Sequence, residues 1–91
     1  MHGEYKTPGG KLVVADLDVL DGKIVGPVIS GDFFLEPPEA LTQITHALEQ
    51  LPANSNEEEI AAAIRAAVEP GVEMIGFSPE AVARAVRRAV E

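Results

Sequence analysis

The residue types that could do chemistry are few in this chain, and their spacing does not assemble an active site. There is no cysteine, and the two histidines are His2 near the N-terminus and His46, which stands alone in a helical pattern. Without cysteines or closely spaced histidine pairs, the sequence offers no set of zinc ligands. No serine has a basic partner at the spacing of a nucleophile motif. We therefore predict neither a catalytic residue nor a metal site.

The segment Pro8-Gly9-Gly10-Lys11 has the residue types of a phosphate-binding loop but not their arrangement. A P-loop has four residues between its glycines, a hydroxyl after its lysine and a helix behind it, whereas a strand pattern follows here. A tight turn explains this segment better, because proline fixes φ and glycine accepts positive φ. Lys11, at the edge of the turn, remains a candidate to contact an anion such as a nucleotide phosphate.

Two adjacent phenylalanines, Phe33 and Phe34, stand where a strand pattern gives way to a helical one. Neighbouring side chains of an extended chain point to opposite faces, so both rings enter one core only if the chain bends at Gly31-Asp32. In the alternative, one ring packs in the core and the other anchors a partner, since aromatic residues are over-represented among interface anchors. Asp32 is expected in a turn or cap beside this candidate interface.

The overall charge is strongly negative, yet one helical segment carries a basic cluster. Fifteen Asp and Glu against seven Lys and Arg give a net charge of −8, which argues against nucleic acid as the main partner. Arg84, Arg87 and Arg88 are predicted to lie opposite the apolar stripe of their helix. They form either a solvated face that suits the negative end of the helix or a surface that binds an acidic partner.

The first third of the chain has the pattern of β-strands. Apolar residues recur at period two at Val13, Ala15, Leu17 and Val19, with Asp16 and Asp18 on the other face, which is typical of a strand with one buried and one wet face. The pair Asp21-Gly22 is typical of a two-residue hairpin turn. Pro27 has no N–H to donate, so its strand should lie at an edge or carry a bulge. We predict a three-stranded antiparallel meander over about residues 3–31, with the second strand in the middle.

The rest of the chain has the spacing of three helices, over about residues 38–91. The first follows two prolines, which suit a first helical turn. Asn56 and Glu59 have the spacing of a capping box at the start of the second helix. Ser78-Pro79 begins the third. Strands followed by helices indicate an α+β fold, with the three helices packed on one face of the sheet.

Length and composition favour one small domain in a reducing compartment. A chain of 91 residues has the length of a single domain, residues 1–91. The lack of cysteine fits the cytoplasm. No apolar run is long enough to span a bilayer, and the N-terminus lacks the basic start and apolar segment of a signal peptide. We expect a cytoplasmic protein with no membrane partner.

Three motifs occur in order along the chain. They are KTPGGKLVVADLDVLDGKI (Lys6 to Ile24), ISGDFFLEP (Ile29 to Pro37) and a helix that ends in LEQL (Leu48 to Leu51). This set resembles the C-terminal accessory domain of lipoate–protein ligases. The resemblance covers Tyr5 to Leu51 in motif detail and continues more loosely to Glu91.

The resemblance implies an accessory role. In that family the large domain carries an arginine-led glycine-rich motif and a lysine that contacts lipoate, and neither is present here. In some organisms, especially archaea, the accessory domain is a separate small subunit, and a start at Met1 with 91 residues points to that form. The family converts lipoate and ATP, with Mg²⁺, to lipoyl-adenylate and pyrophosphate. The lipoyl group then passes to a lysine of a carrier protein.

The partners follow from this role. The resemblance implies direct binding to the large catalytic ligase subunit and an indirect relation to the carrier, an E2 or glycine-cleavage H protein. No cofactor is expected to bind this chain alone, since ATP, Mg²⁺ and lipoate are used by the complex. The candidate interface residues are Asp32, Phe33, Phe34, Arg84, Arg87 and Arg88.

A different class of function is a non-enzymatic scaffold or adaptor domain of the same architecture, resembling sulfur-transfer or iron–sulfur assembly proteins. That class is expected to carry a reactive or ligating cysteine, and the chain has none. Nucleic-acid binding would depend on the arginines alone. The presence of a neighbouring gene that encodes a large ligase-like chain without this domain would favour the ligase interpretation over the scaffold role and over nucleic-acid binding.

Overall fold

The computed structural model describes all residues, 1–91, and its elements follow the predicted order of strands and then helices, with two short strands in addition. The strands are β1 (His2–Lys6), β2 (Leu12–Leu20), β3 (Lys23–Gly31), β4 (Phe34–Glu36) and β5 (Glu73–Ile75). The helices are α1 (Ala40–Leu48), α2 (Glu57–Ala67) and α3 (Pro79–Val90). The α+β fold class is confirmed. None of these helices combines the length and the apolar character that crossing a bilayer requires.

The first three strands form the predicted antiparallel meander, in the order β1-β2-β3 with β2 in the middle. Leu20 pairs with Lys23 across a two-residue turn. The turn residues Asp21 and Gly22 have φ values of 53° and 76°. Positive φ at both central positions is the geometry of a type I′ turn, whose twist matches that of the strands it joins.

The predicted irregularity around Pro27 is present as a bulge in the edge strand β3. Between the paired positions on either side, Gly26 and Pro27 together stand opposite the single residue Leu17. Gly26 has a φ of 62°, which glycine adopts at little cost. Its N–H donates to Glu49 Oε2 at 2.9 Å, so the bulge is also tied to the end of α1.

The helices cover one face of the meander, as predicted. Helix α3 lies across β1 and β2, while α1 contacts β3 and α2 packs between α1 and α3. In β2 the alternate residues Val13, Ala15 and Leu17 are buried, while Asp16 and Asp18 on the other face are exposed. The buried residues of the helices are Ala40, Ile44, Leu48, Ile60, Ala61, Ile64, Ala81, Val82, Ala83, Ala85, Val86 and Ala89. Burial of each large aliphatic side chain contributes about 1.5–3 kcal/mol, so this shared core supplies most of the favourable free energy.

Helix α3 approaches β1 closely because Gly3 has no side chain. A Cβ at Gly3 would lie 2.3 Å from both the Ala85 carbonyl oxygen and the Ala89 backbone nitrogen. These backbone atoms can move only if the whole helix shifts, so the absence of a side chain at Gly3 allows the short distance between the helix and the strand.

The starts of α2 and α3 follow the capping patterns in the sequence. Asn56 Oδ1 accepts a hydrogen bond from the Glu59 N–H at 2.8 Å, and Glu59 Oε1 accepts one from the Asn56 N–H at 2.9 Å. This reciprocal pair is the predicted capping box. At α3, Ser78 Oγ accepts from the Ala81 N–H at 3.1 Å. Local side-chain chemistry thus fixes where both helices begin.

A second, two-stranded sheet is the feature that the sequence patterns did not predict. Strand β5 lies between α2 and α3, within residues 38–91 that were predicted to form helices, and it pairs antiparallel with β4. We refer to these two strands as the β4–β5 ribbon. Leu35 is buried and Met74, directly opposite, is half-buried, so the ribbon attaches to the core through its inner face.

Candidate partner-binding site

The structure brings the Pro-Gly-Gly-Lys turn and the Phe-Phe junction together at one end of the main sheet. Asp32 Oδ1 accepts a hydrogen bond from the Leu12 N–H at 2.8 Å. At the preceding residue, a Cβ on Gly31 would lie 2.1 Å from the Leu12 carbonyl oxygen, so the two segments are in close backbone contact. Asp32 therefore fixes the junction against the start of β2, which is a local structural role of the kind expected for it.

Lys11 contacts Gly76, the residue that directly follows β5 of the ribbon. Its backbone N–H donates to the Gly76 carbonyl oxygen at 2.8 Å, and its aliphatic stem covers Gly76, where an added Cβ would lie 2.4 Å from Lys11 Cγ. The residue is exposed and its ammonium group forms no ion pair within the chain. Lys11 is therefore accessible, and its contact with an anion stays a prediction.

The two phenylalanines of the junction lie on opposite faces. Phe33 is half-buried and stacks on Phe77, with ring centroids 4.0 Å apart and an interplanar angle of 25°. Phe34 is 65% exposed on the outer face of the ribbon, directly opposite Ile75, which is 49% exposed. The alternative in which the chain bends and both rings enter the core is wrong for this structure. Phe34 is the ring that is free to contact a partner.

Two of the three clustered arginines hold α3 against β1. The guanidinium carbons of Arg84 and Arg88 lie 5.0 Å and 5.1 Å from the centroid of the Tyr5 ring, so the ring has a cation–π contact with each. Arg84 Nε also pairs with Glu57 Oε1 at 3.2 Å. Arg88 Nη1 donates to the Glu4 carbonyl oxygen at 2.9 Å.

Arg87 turns in a different direction from its two neighbours. Its Nη1 donates to the carbonyl oxygens of Ala53 and Ser55 at 2.9 Å and 3.2 Å, which ties α3 to the loop before α2. Its side chain is only 25% exposed. The three arginines therefore have intrachain roles, and a contact between them and a partner stays a prediction.

Two clefts flank the N-terminal end of α3, and both are small and lined largely by polar or charged residues. The first has a volume of about 100 Å³, and one of its lining residues, Thr7, has a buried hydroxyl oxygen, Oγ1, without a hydrogen-bond partner. It is lined by Tyr5, Thr7, Glu57, Ser78, Glu80, Ala81 and Arg84. The second, of about 260 Å³, is lined by three carboxylates, one arginine and one alanine. Both are smaller than the roughly 300–1,000 Å³ of typical ligand pockets, and their carboxylates would repel a triphosphate.

The remaining titratable cluster surrounds His2 on the open face of the sheet. Its Nδ1 lies 2.7 Å from Asp16 Oδ1 and its Nε2 lies 2.7 Å from Glu4 Oε2. The hydrogen bond to Glu4, and then the one to Asp16, raise the pKa of the imidazole above its ordinary value, because both stabilise the protonated ring. All three side chains are exposed. The arrangement is a surface charge cluster, and no group of three or more His, Asp or Glu residues is placed to hold a metal ion.

Three residues of the ribbon surface were missed by sequence reasoning: Glu36, Glu73 and Ile75. The available signal was the short run Val72-Glu73-Met74-Ile75, in which the apolar residues Val72 and Met74 are two apart, as on one face of a strand. It covers only a few residues between glycines, and so it does not stand out from a loop between two helices.

Comparison with known proteins finds a similarity to a solved structure. No protein-family model matches the chain. A search of curated proteins returned no significant match. Among solved structures, a chain from an archaeal lipoylation system of Thermoplasma acidophilum, described as a bi-partite lipoate protein ligase and its E2 lipoyl domain, is similar with a TM-score of 0.73 and 29% sequence identity. The similarity covers 96% of this chain and 98% of that one, and it links this chain to a lipoylation system.

Proposed function

We propose that this chain is the accessory subunit of a two-subunit lipoate–protein ligase and acts only together with a large catalytic subunit. The observation that carries the proposal is the end-to-end similarity to one chain of a bi-partite ligase system at 29% identity. The motifs TPGGK, DG and GDFF support the same role, since their order resembles that of the ligase accessory domain.

The chain itself supplies no catalytic group in this proposal. The complex would activate lipoate with ATP and Mg²⁺ to lipoyl-adenylate before transfer to a lysine of an E2 or glycine-cleavage H protein. We assign ATP, Mg²⁺ and lipoate to the large subunit, because the clefts of this chain are too small and too acidic for a triphosphate. The accessory chain would act by binding the large subunit and completing its site for activation.

A second candidate role is that of the lipoyl acceptor, because the related system also contains an E2 lipoyl domain. An acceptor needs an accessible lysine, and Lys23 is exposed directly after the Asp21-Gly22 turn at the tip of the β2–β3 hairpin. The accessory role is favoured since the motif resemblance is to the ligase itself. The two roles differ in whether this chain gains a lipoyl group.

Lipoate-dependent exchange between ATP and pyrophosphate tests the accessory role. The large ligase chain from the same genome is assayed alone, this chain is assayed alone, and the two are then mixed. We expect activity only in the mixture. Exchange by this chain alone, or full exchange by the large chain without it, would contradict the proposal.

Mass spectrometry of the same mixture separates the two roles. In the accessory role the intact mass of this chain stays unchanged, while a separate lipoyl domain gains a lipoyl group. A lipoyl adduct on this chain that is lost in the Lys23→Arg variant would establish the acceptor role instead.

A further inference from the structure

We propose that the outer face of the β4–β5 ribbon binds a partner surface in which a large apolar side chain lies next to lysine or arginine. The outer face consists of Phe34, Glu36, Glu73 and Ile75. The inference rests on the proposed function, because it takes the large ligase subunit as that partner.

The first half of this face is apolar and open to water. Phe34 and Ile75 stand directly opposite each other in the ribbon and are 65% and 49% exposed. Aromatic and branched side chains in such a cross-strand pair form a continuous apolar surface. Leaving this surface in water is unfavourable, so a partner that covers it gains hydrophobic free energy.

The second half of the face is acidic and unpaired. Glu36 and Glu73 stand directly opposite each other on the same face as the apolar pair. Neither carboxylate forms an ion pair within the chain. Like charges directly opposite destabilise a pair of strands. A cationic side chain from a partner would turn this repulsion into attraction, so the charge of the face specifies a basic partner.

The ribbon presents this face from a fixed position. On the inner side Leu35 is buried in the core. At the Phe34–Ile75 end of the ribbon, Phe33 stacks on Phe77, and the Lys11 N–H bonds to the Gly76 carbonyl oxygen. An anchor held in place before binding loses little conformational freedom when the partner arrives. Phe34 therefore meets the usual requirements of a binding hot spot.

Titration calorimetry of the full chain with the large ligase subunit tests the apolar half. Phe34→Ala is expected to weaken binding by about thirtyfold or more, the effect of losing a hot-spot aromatic. Ile75→Ala should give a smaller loss in the same direction. Leu20→Ala is the matched control, because Leu20 is 63% exposed at the opposite end of β2 and should leave the affinity unchanged.

A charge variant tests the acidic half. The double substitution Glu36→Gln and Glu73→Gln is expected to weaken binding about three- to tenfold at low salt and to flatten its salt dependence. In the free chain the same variant should melt about 1–4 °C higher, because the cross-strand repulsion is removed. A variant that is more stable but binds more weakly would indicate that the two glutamates act in partner binding rather than in the fold.

The outcomes separate this inference from the proposed function. If wild-type chain binds but Phe34→Ala and Ile75→Ala bind as tightly as Leu20→Ala, the ribbon is not the interface, and the accessory role stands. If the charge variant keeps the wild-type affinity and salt dependence, the partner surface is not basic. If wild-type chain neither binds the large subunit nor restores exchange, the proposed function fails and the inferred partner with it.

Discussion

Phe33 stacks on Phe77 with ring centroids 4.0 Å apart, and this contact joins the end of the meander to the start of α3. Phe77 is buried and directly precedes Ser78, the residue that caps the helix. The stack thus connects the capped end of a helix to the Phe-Phe junction and holds the β4–β5 ribbon beside the main sheet. Phe34, the next residue along the chain, takes no part in it.

The two rings of the junction should therefore respond differently to truncation. Phe33→Ala is expected to lower the free energy of unfolding by about 3 kcal/mol, at the low end for phenylalanine because Phe33 is only half-buried, and Phe77→Ala by about 3–5 kcal/mol because Phe77 is buried. Phe34→Ala should cost less than about 1 kcal/mol. Urea unfolding of the three variants measures these values. A loss for Phe34→Ala equal to that for Phe33→Ala would show that the outer ring also holds the fold.

A double-mutant cycle separates the stacking from the burial. The Phe33→Ala/Phe77→Ala double variant should lose about 0.5–1.5 kcal/mol less than the sum of the single losses, which is the usual coupling of an aromatic pair. Additive losses would mean that each ring is held by its other neighbours and that the stack itself contributes nothing.

Local chemistry explains which parts of the fold were predictable. The type I′ turn, the bulge at Gly26-Pro27 and the capping box at Asn56 each depend on residues adjacent or three apart in sequence, and each is present. The β4–β5 ribbon depends on a pairing between Phe34 and Ile75, far apart in sequence. A three-residue strand has too little periodicity to be recognised alone, so this pairing and the surface it creates were missed.

The close approach of α3 to β1 gives a second prediction. Gly3→Ala should lower the free energy of unfolding by about 1–3 kcal/mol or more, because the new Cβ would lie 2.3 Å from backbone atoms of α3. Lys6→Ala is the control, because Lys6 is exposed in the same strand and its side chain forms no hydrogen bond or ion pair, so stability should change by less than about 0.5 kcal/mol. Thermal melting followed by circular dichroism compares them. Wild-type stability in Gly3→Ala would mean that the helix can shift away from the strand at little cost.

The third prediction concerns Arg87, which bonds two backbone carbonyls of the loop before α2. Arg87→Gln should lower the free energy of unfolding by about 1–2 kcal/mol, since hydrogen bonds from a charged group contribute more than neutral ones. Arg65→Gln is the control, because Arg65 only forms a surface ion pair with Glu80, worth about 0–1 kcal/mol. Chemical denaturation distinguishes them. Equal effects would show that the bonds of Arg87 are replaced by water without loss.

The roles of the arginines show a limit of helical periodicity. The spacing of Arg84, Arg87 and Arg88 placed them correctly away from the buried stripe of α3. It did not reveal that Arg87 bonds the loop before α2 while the other two flank Tyr5, because those partners come from distant parts of the chain. A partner-binding test on these arginines therefore requires a stability measurement on every variant.

The fourth prediction is a pH dependence at the His2 cluster. The hydrogen bond to Glu4 and then the one to Asp16 raise the pKa of His2 in the folded chain above its unfolded value. The protonated ring therefore stabilises the fold fully below the ordinary histidine pKa of about 6.5, and this contribution is lost as the pH rises through the raised pKa. Wild-type chain should melt above the His2→Asn variant at about pH 5.5, and the difference should shrink toward about pH 8.5.

Comparing two proteins that differ only at His2 removes the titrating groups that do not contact His2 from this measurement, because those groups contribute equally to both melting curves. An NMR titration of the His2 ring then reports its pKa directly and should place it above that of an unstructured peptide. A difference in melting temperature that stays constant with pH, or that grows as the pH rises, would contradict the assignment. Because the ring is exposed, salt should reduce the effect by screening its attraction to Glu4 and Asp16.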